Sequence, residues 1–200
     1  MTTLFLKTPS LSPEEDDYAI DFLDEFLSST NAHDNPTIIH MAGIPGSGKT
    51  TAAHRLLNGE YHNQDFILFD FDAIMNKIPA YRSDAQRDPK MAFMAWEKPA
   101  ANIGYFLIQQ LIANKRNILF DHSGTPPLHR ELLTKARDSF GYTTKMYYTS
   151  CDIETAKKRA IAREIATKRH TPEELIEYRH SLINDNIKAY KDIVDEFVTL

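Results

Sequence analysis

The 200-residue chain has a single cysteine, Cys151, so it can form no internal disulfide and suits a reducing compartment, where a lone thiol serves as a small packing residue. It has no apolar run long enough to cross a bilayer, and Met1-Thr2-Thr3-Leu4-Phe5-Leu6-Lys7 lacks the basic start and apolar stretch of a leader peptide. A soluble, cytoplasmic protein is therefore expected. Excess positive charge is also missing, since the net charge is −5. Residues 1–36 carry eight acids and one lysine, which leaves the remainder at +2 with no basic stripe. Tight binding to duplex nucleic acid, which depends on Lys and Arg neutralising phosphates, is disfavoured, and small phosphorylated ligands fit better. No HxxxH or CxxC spacing, no serine or cysteine nucleophile motif, no internal repeat and no low-complexity segment occurs. His40 and His122 accordingly read as packing or polar-loop residues.

What is present begins with Gly43-Ile44-Pro45-Gly46-Ser47-Gly48-Lys49-Thr50, which satisfies GxxxxGK[ST] directly after the β-prone run Thr37–Ala42. Glycines at 43, 46 and 48 allow positive φ and let backbone N–H groups close on phosphate oxygens, forming an anion nest. Thr51 to Leu57 continues as a helix whose positive dipole end faces the same phosphates. In this pattern Lys49 reaches the β/γ-phosphates and the Thr50 hydroxyl holds Mg²⁺, so ATP or another nucleoside triphosphate with Mg²⁺ is the expected cofactor pair.

Around this loop, apolar strands alternate with helical segments. Ser12-Pro13-Glu14-Glu15 opens an amphipathic acidic helix carrying Ala19, Phe22, Leu23, Phe26 and Leu27 on one side. Phe66–Phe69 is a strand ending in Asp70-Phe71-Asp72, and Asn117–Phe120 is another ending in Asp121. Between them Met91–Trp96 and Asn102–Ala113 read as two helical stretches interrupted by Pro99. Leu128–Phe140 reads as a helix stopped by Gly141, followed by a strand over Thr143–Thr149 and a helix over Asp152–Ile165. Thr171-Pro172-Glu173-Glu174 reads as a capping box opening a helix to about Leu182, with a last helix to Val194. Phe197–Leu200 is left open between a final strand and the start of something further. The alternation predicts an α/β three-layer fold with a mostly parallel sheet covered on both faces, and ligands at the carboxyl ends of the strands. Residues 1–36 are expected to form an acidic helix packed on a single phosphate-loop unit spanning 37–200.

Three strand ends thus carry chemistry. A carboxylate in line with a γ-phosphate can orient or deprotonate an acceptor hydroxyl, and Asp70 and Asp72 compete for that task, the other role open to either being a helix cap. Asp121 has the layout of a Walker B acid that holds Mg²⁺, and His122-Ser123-Gly124-Thr125 forms a polar loop suited to acceptor contacts. Arg159 and Arg163 share a helical face, with Arg169 nearby, and arginines on a lid meet the charge that develops on a transferring phosphoryl group.

As an ordered set these motifs resemble the zeta toxin family of P-loop kinases. The resemblance runs from the acidic helix through Pro45–Thr50, Asp70-Phe71-Asp72 and Ile118–Thr125 to Gly141-Tyr142-Thr143-Thr144-Lys145-Met146-Tyr147. It implies ATP/Mg²⁺-dependent phosphorylation of a hydroxyl on a small acceptor, a UDP-N-acetyl sugar in the best-known members. It also implies that Asp72 is the base, that Lys49, Arg163 and Arg169 are catalytic, and that Gly43 to Thr51 with Arg159 hold ATP. Asp70, Asp72, Asp121, Ser123 and Thr125 face the acceptor, and an antitoxin-like or regulatory protein is the expected partner. The chain departs from the pattern on the acceptor side: Asp121 stands for a glutamate, Thr125 for an arginine, and a helical glutamate is replaced near Tyr105. A nucleotide-dependent interaction module and a polynucleotide 5′-hydroxyl kinase share parts of the same pattern.

Overall fold

The computed structural model describes residues 5–8 and 10–200, so Met1–Leu4 of the N-terminal segment considered above lie outside the described residues. Five strands, β1 (Thr37–Ala42), β2 (Phe66–Phe69), β3 (Asn117–Asp121), β4 (Thr143–Tyr148) and β5 (Glu196–Thr199), form one sheet in the order β2-β3-β1-β4-β5. Every pairing is parallel. Parallel strands require crossovers, which are supplied here by helices on both faces.

The period-two alternation of a strand divides the core accordingly. Ile38, Ala42, Ile118 and Phe120 belong to one apolar cluster, and Ile39, Met41 and Leu119, from the opposite face, belong to another. Helix α2 (Lys49–Asn58) covers the second face through Ala53. The first face is covered by α1 (Pro13–Ser29), α3 (Phe71–Lys77), α4 (Pro79–Arg87), α5 (Pro89–Ala113) and α6 (Pro127–Phe140), whose buried residues join the larger cluster. Both faces being covered explains why β1 and β3 read as unbroken apolar runs. Helices α7 (Ile153–Thr167) and α8 (Glu173–Lys191) lie between β4 and β5 in the chain and pack on each other.

Helix α1 starts as its sequence dictates. Ser12 and Glu15 exchange capping hydrogen bonds, Ala19, Phe22 and Leu23 are buried, and the helix packs along α5. Its acids are not all solvated: Glu15 also accepts from Asn102 of α5, and Glu25 pairs with Lys77 of α3.

Three local expectations are corrected. Pro99 does not divide α5, which runs unbroken for 25 residues. Proline takes its own N–H out of the ladder and crowds the carbonyl one turn before it, but burial of Ala92, Phe93, Ala100 and Ile103 on either side holds the helix together. The two helices expected over Glu173 to Leu182 and onward to Val194 are one, ending at Lys191, because Ile176, Ile183, Ile187 and Tyr190 form a continuous buried stripe. The expected capping box at Thr171 is not formed: Pro172 is the cap residue and has no side-chain bond, while the Thr171 hydroxyl accepts from Arg163. Residues 196–199, left open by the sequence, form β5 beside β4.

Candidate functional site

The register of the sheet sets the site. Met41 pairs with Asp121 and Ala42 with Tyr148, so β1 and β3 end side by side, and β2 ends beside Phe120. From β1 the chain enters the loop Gly43–Gly48, with φ of 146°, 84° and 96° at Gly43, Gly46 and Gly48. Only glycine takes those values without strain. Gly46 is needed for space as well, since a Cβ there would stand 2.3 Å from the Ala156 carbonyl of α7. The loop is tied from behind. Gly43 N–H donates to the Ser123 carbonyl at 3.1 Å, Ser47 Oγ lies 2.8 Å from Thr149 Oγ1, and Thr149 Oγ1 donates to the Ala42 carbonyl at 3.2 Å.

Lys49, the first residue of α2, folds back and donates from Nζ to the Ile44 carbonyl at 2.9 Å. Burial draws its pKa down to about 8; Arg179 and Arg169 lower it further, while Asp121 and Asp70 act against the shift. Thr50 Oγ1 donates to Asp121 Oδ2 at 2.6 Å, joining the loop to the β3 strand end.

Asp70 and Asp72 are separated by the turn from β2 into α3. Asp70 is the cap residue of α3, and its Oδ1 accepts from Asp72 N–H at 2.9 Å. Burial raises its pKa to about 6. Asp72 lies in the first turn of α3 and forms an ion pair with Arg169. Its side chain is 37% exposed, so it retains access to solvent and ligand.

The basic residues come from α7 and the segment after it. Arg159 donates to the Gly46 carbonyl at 3.3 Å and approaches Cys151 Sγ at 3.8 Å. Arg163 donates to Thr171 Oγ1 at 2.5 Å, and burial lowers the pKa of both Arg163 and Arg169.

These groups surround one cleft of roughly 490 Å³. Pro45, Gly46, Gly48, Lys49, Thr50, Thr51, Asp70, Asp72, Asp121, Ser123, Arg159, Arg163 and Arg169 all line it. Gly43, Ile44 and Ser47 do not; they build the loop from within. Thr125, read as an acceptor contact, also lies off the cleft wall. It is 4% exposed, and its hydroxyl is 2.8 Å from Ser123 Oγ. The intervening Gly124, at φ 75°, turns the chain against Ala42 and takes Thr125 inward with it.

Four further residues belong to the surroundings of the cleft. Glu97 and Tyr105 from α5 and Arg179 from α8 line it. Helix α5 therefore does supply a glutamate, two turns before Tyr105. His129 is fully buried, and its Nε2 lies 3.0 Å from the Tyr105 hydroxyl. With His40 and His122 it forms a cluster of imidazoles, ring centroids 4.3 Å apart for His122–His129 and 5.3 Å for His40–His129, that also packs on Phe120. Burial holds all three pKa values below the ordinary range, so the cluster is neutral.

An arginine in the apolar stripe of α8 was the sequence clue to Arg179. It falls three residues after Ile176 and four before Ile183, on the buried side of the helix. The histidine cluster had no comparable clue, because its members come from β1, the loop after β3, and α6.

Among curated proteins, no sequence matches this one. Solved structures do. A structure from the PezAT chromosomal toxin–antitoxin system of Streptococcus pneumoniae is 17% identical with a TM-score of 0.78, covering 97% of this chain and 80% of its own. The AvrRxo1-ORF1:AvrRxo1-ORF2 complex with ATP is similar at 12% identity and a TM-score of 0.58, covering 94% of this chain and 66% of its own. A chain of the Pnkp1/Rnl/Hen1 RNA repair complex is similar at 16% identity and a TM-score of 0.55, covering 80% and 47%. At such identities these likenesses concern the fold. The zeta toxin family model, however, matches residues 23–198, nearly the whole chain, and the protein belongs to the zeta toxin family.

Proposed function

We propose that the protein is an ATP- and Mg²⁺-dependent phosphotransferase that moves a γ-phosphoryl group onto the hydroxyl of a small acceptor. The observation that carries this reading is the convergence of the loop, the Thr50–Asp121 contact and the Asp72–Arg169 pair on one cleft. A switch protein needs the first two of these; a carboxylate facing the same space serves transfer.

The donor set fits magnesium. Thr50 Oγ1 and Asp121 Oδ2 are hard oxygens already in contact, and Mg²⁺ is commonly held by one or two protein oxygens, with waters and phosphate completing its shell. Among the described residues no group of three His, Cys, Asp or Glu could hold a metal unaided, so such an ion would depend on the nucleotide. Bound there, it would neutralise charge on the β- and γ-phosphate oxygens.

The protein's own groups do the remainder. Backbone N–H groups of the loop and Lys49 hold the phosphates, with Lys49 leaving the Ile44 carbonyl for the arriving anion. Arg163 and Arg169 stabilise charge on the transferring group, and Arg159 braces the loop at Gly46. Asp72 orients the acceptor hydroxyl and receives its proton. Asp70 is the weaker candidate for that work, because one of its oxygens is committed to capping α3. Arg169 pairs with Asp72, so triphosphate binding, by drawing Arg169 toward phosphate, would release the base. The family resemblance favours a sugar nucleotide as acceptor, and the toxin–antitoxin system of the Streptococcus pneumoniae neighbour favours a regulatory protein partner.

Labelled ATP offered with sugar nucleotides, nucleosides and aminoglycoside-type alcohols tests the reaction. Asp72→Asn should keep nucleotide affinity within about twofold and lower transfer by about 10²- to 10⁴-fold, the usual loss when general-base help is removed. Parallel loss of binding and transfer would assign Asp72 to the nucleotide site instead.

A further inference from the structure

Three hydroxyls on the cleft wall are committed to partners within the protein. Thr50 donates to Asp121, Thr171 accepts from Arg163, and Ser123 is shared between Thr125 and His122. The Tyr105 hydroxyl, also on that wall, lies 3.0 Å from a single partner, Nε2 of His129. A phenol oxygen carries one proton and lone pairs, so one contact leaves capacity for a second. Its ring is fixed in place: Gly104 lets Phe71 close on α5, and Tyr105 meets Phe71 edge-on with centroids 4.9 Å apart. Phe71 separates Asp70 from Asp72 in the chain, so the phenol stands beside the turn that carries the proposed base. Burial pushes the Tyr105 pKa up to about 12, and the proton therefore stays on it at neutral pH.

His129 decides whether that capacity donates or accepts. Its ring is fully buried and neutral, so it holds one N–H. Its Nδ1 has no hydrogen-bond partner among the described residues. The neighbouring His40, 5.3 Å away between centroids, supplies none, since both of its own nitrogens are unpartnered too. If the phenol donated to Nε2, the imidazole proton would sit on Nδ1 as a donor buried without an acceptor. With the proton on Nε2, the imidazole donates to the phenol oxygen and Nδ1 buries a bare lone pair. A buried donor left unpaired is the rarer case, so the second arrangement is favoured. The phenol proton is then free to point into the cleft.

Resting on the phosphotransferase reading above, we propose that Tyr105 sets acceptor specificity by donating a hydrogen bond to an oxygen close to the reacting hydroxyl. His129 is the positioning residue, because its Nε2–H occupies the phenol oxygen and turns the phenol proton outward. Ether, carbonyl and hydroxyl oxygens satisfy such a donor. An ammonium group at the same place would face donor against donor and be rejected. The carboxylates of the cleft cannot supply this contact, since an ionised carboxylate only accepts.

The test offers the full chain, with saturating Mg²⁺ and labelled ATP, three alcohols: ethylene glycol monomethyl ether, butanol and N-methylethanolamine. They match in size and place an ether oxygen, a methylene and a protonated amine at the same position. The wild type should use the ether roughly three- to tenfold better than butanol in kcat/KM, the worth of one neutral hydrogen bond, and the amine least. Tyr105→Phe keeps the ring on Phe71 and should erase the preference through KM, with nucleotide affinity changed less than twofold. His129→Leu should do the same, and His129→Gln, whose amide nitrogen can donate near the place of Nε2, should recover part of it. A second arm needs no turnover. In the isotopically labelled wild type, with His129 assigned through His129→Gln, imidazole nitrogen NMR should show Nε2 protonated and Nδ1 bare. The reverse assignment would overturn the proposal. So would equal use of ether and butanol by the wild type, or a preference that survives Tyr105→Phe. Parallel loss of nucleotide affinity in Tyr105→Phe would mark Tyr105 as structural and also overturn it. Absence of labelled ester from all three alcohols would overturn the phosphotransferase reading, and the acceptor role with it, whatever the NMR result.

Discussion

Asp70 is held at a pKa of about 6, first by burial and then by the nearby Asp121, with Arg169, Lys49 and Arg163 acting the other way. A raised carboxyl means that the folded chain binds more protons than the unfolded chain between the ordinary value of 3.8 and about 6. Stability therefore falls as pH rises through that window, and the cost is fully present at neutral pH. Asp70→Asn keeps an oxygen to accept from Asp72 N–H and removes the charge. At pH 7 it should stabilise the protein by on the order of 1–2 kcal/mol, and the gain should vanish below about pH 4; urea unfolding of both proteins at the two pH values checks this. At this scale the sequence was informative where chemistry fixes spacing. Lys49 and Thr50 are legible because a phosphate cradle permits few alternatives. Asp70 and Asp72 were not separable, because the choice depends on where β2 stops and α3 starts, one residue deciding which of them becomes the cap. Thr125 was misplaced for a similar reason, as a single left-handed glycine before it reverses its direction.

Helix α5 passes so close to the start of α3 that a Cβ on Gly104 would stand 2.5 Å from the Phe71 ring. Phe71 sits between the two aspartates in sequence and packs on Tyr105 and Phe120. Gly104→Ala must displace that ring, and with it the first turn of α3. The expected outcome is a loss of about 1–3 kcal/mol of stability, the usual range for overpacking a core. Transfer should also fall while nucleotide affinity holds, because the loop lies on another element; thermal unfolding and nucleotide titration separate the two effects. Helix α5 also shows where element boundaries escape the sequence. Pro99 is a strong local stop signal, and the packing of residues on both sides of it overrides that signal. Helix α8 was split for lack of tertiary information, although its stripe from Ile176 to Tyr190 was present in the spacing.

The order of strands and helices, and the edge at which ligands belong, could be read before any coordinates, because parallel α/β topology follows from the alternation of apolar runs with amphipathic ones. The neutral histidine cluster could not, since it exists only once three distant segments meet. Its consequence concerns the whole molecule. Burial lowers His40 to about 3, with Lys49 adding to the shift, and holds His122 and His129 well below 6.5. The unfolded chain then binds more protons than the folded one below pH 6.5, so stability is present above that value and is lost as pH falls. Each such group contributes about 1.4 kcal/mol per pH unit, and His122, which opens onto the cleft, contributes least. Asp70 opposes the trend by at most one proton. A net slope of roughly 2–3 kcal/mol per pH unit should appear in urea unfolding between pH 6 and 5; a flat profile there would mean that the imidazoles are solvated.

The phosphate loop is stitched down on its far side by Ser47, Thr149 and Ser123, and on its near side its own lysine clasps the Ile44 carbonyl. The conformational freedom of those residues is surrendered when the chain folds, not when a ligand arrives. An incoming anion thus meets a finished receptacle and has to displace one tethered ammonium group, so its affinity is diminished by a single exchange of partners and not by the ordering of an entire segment.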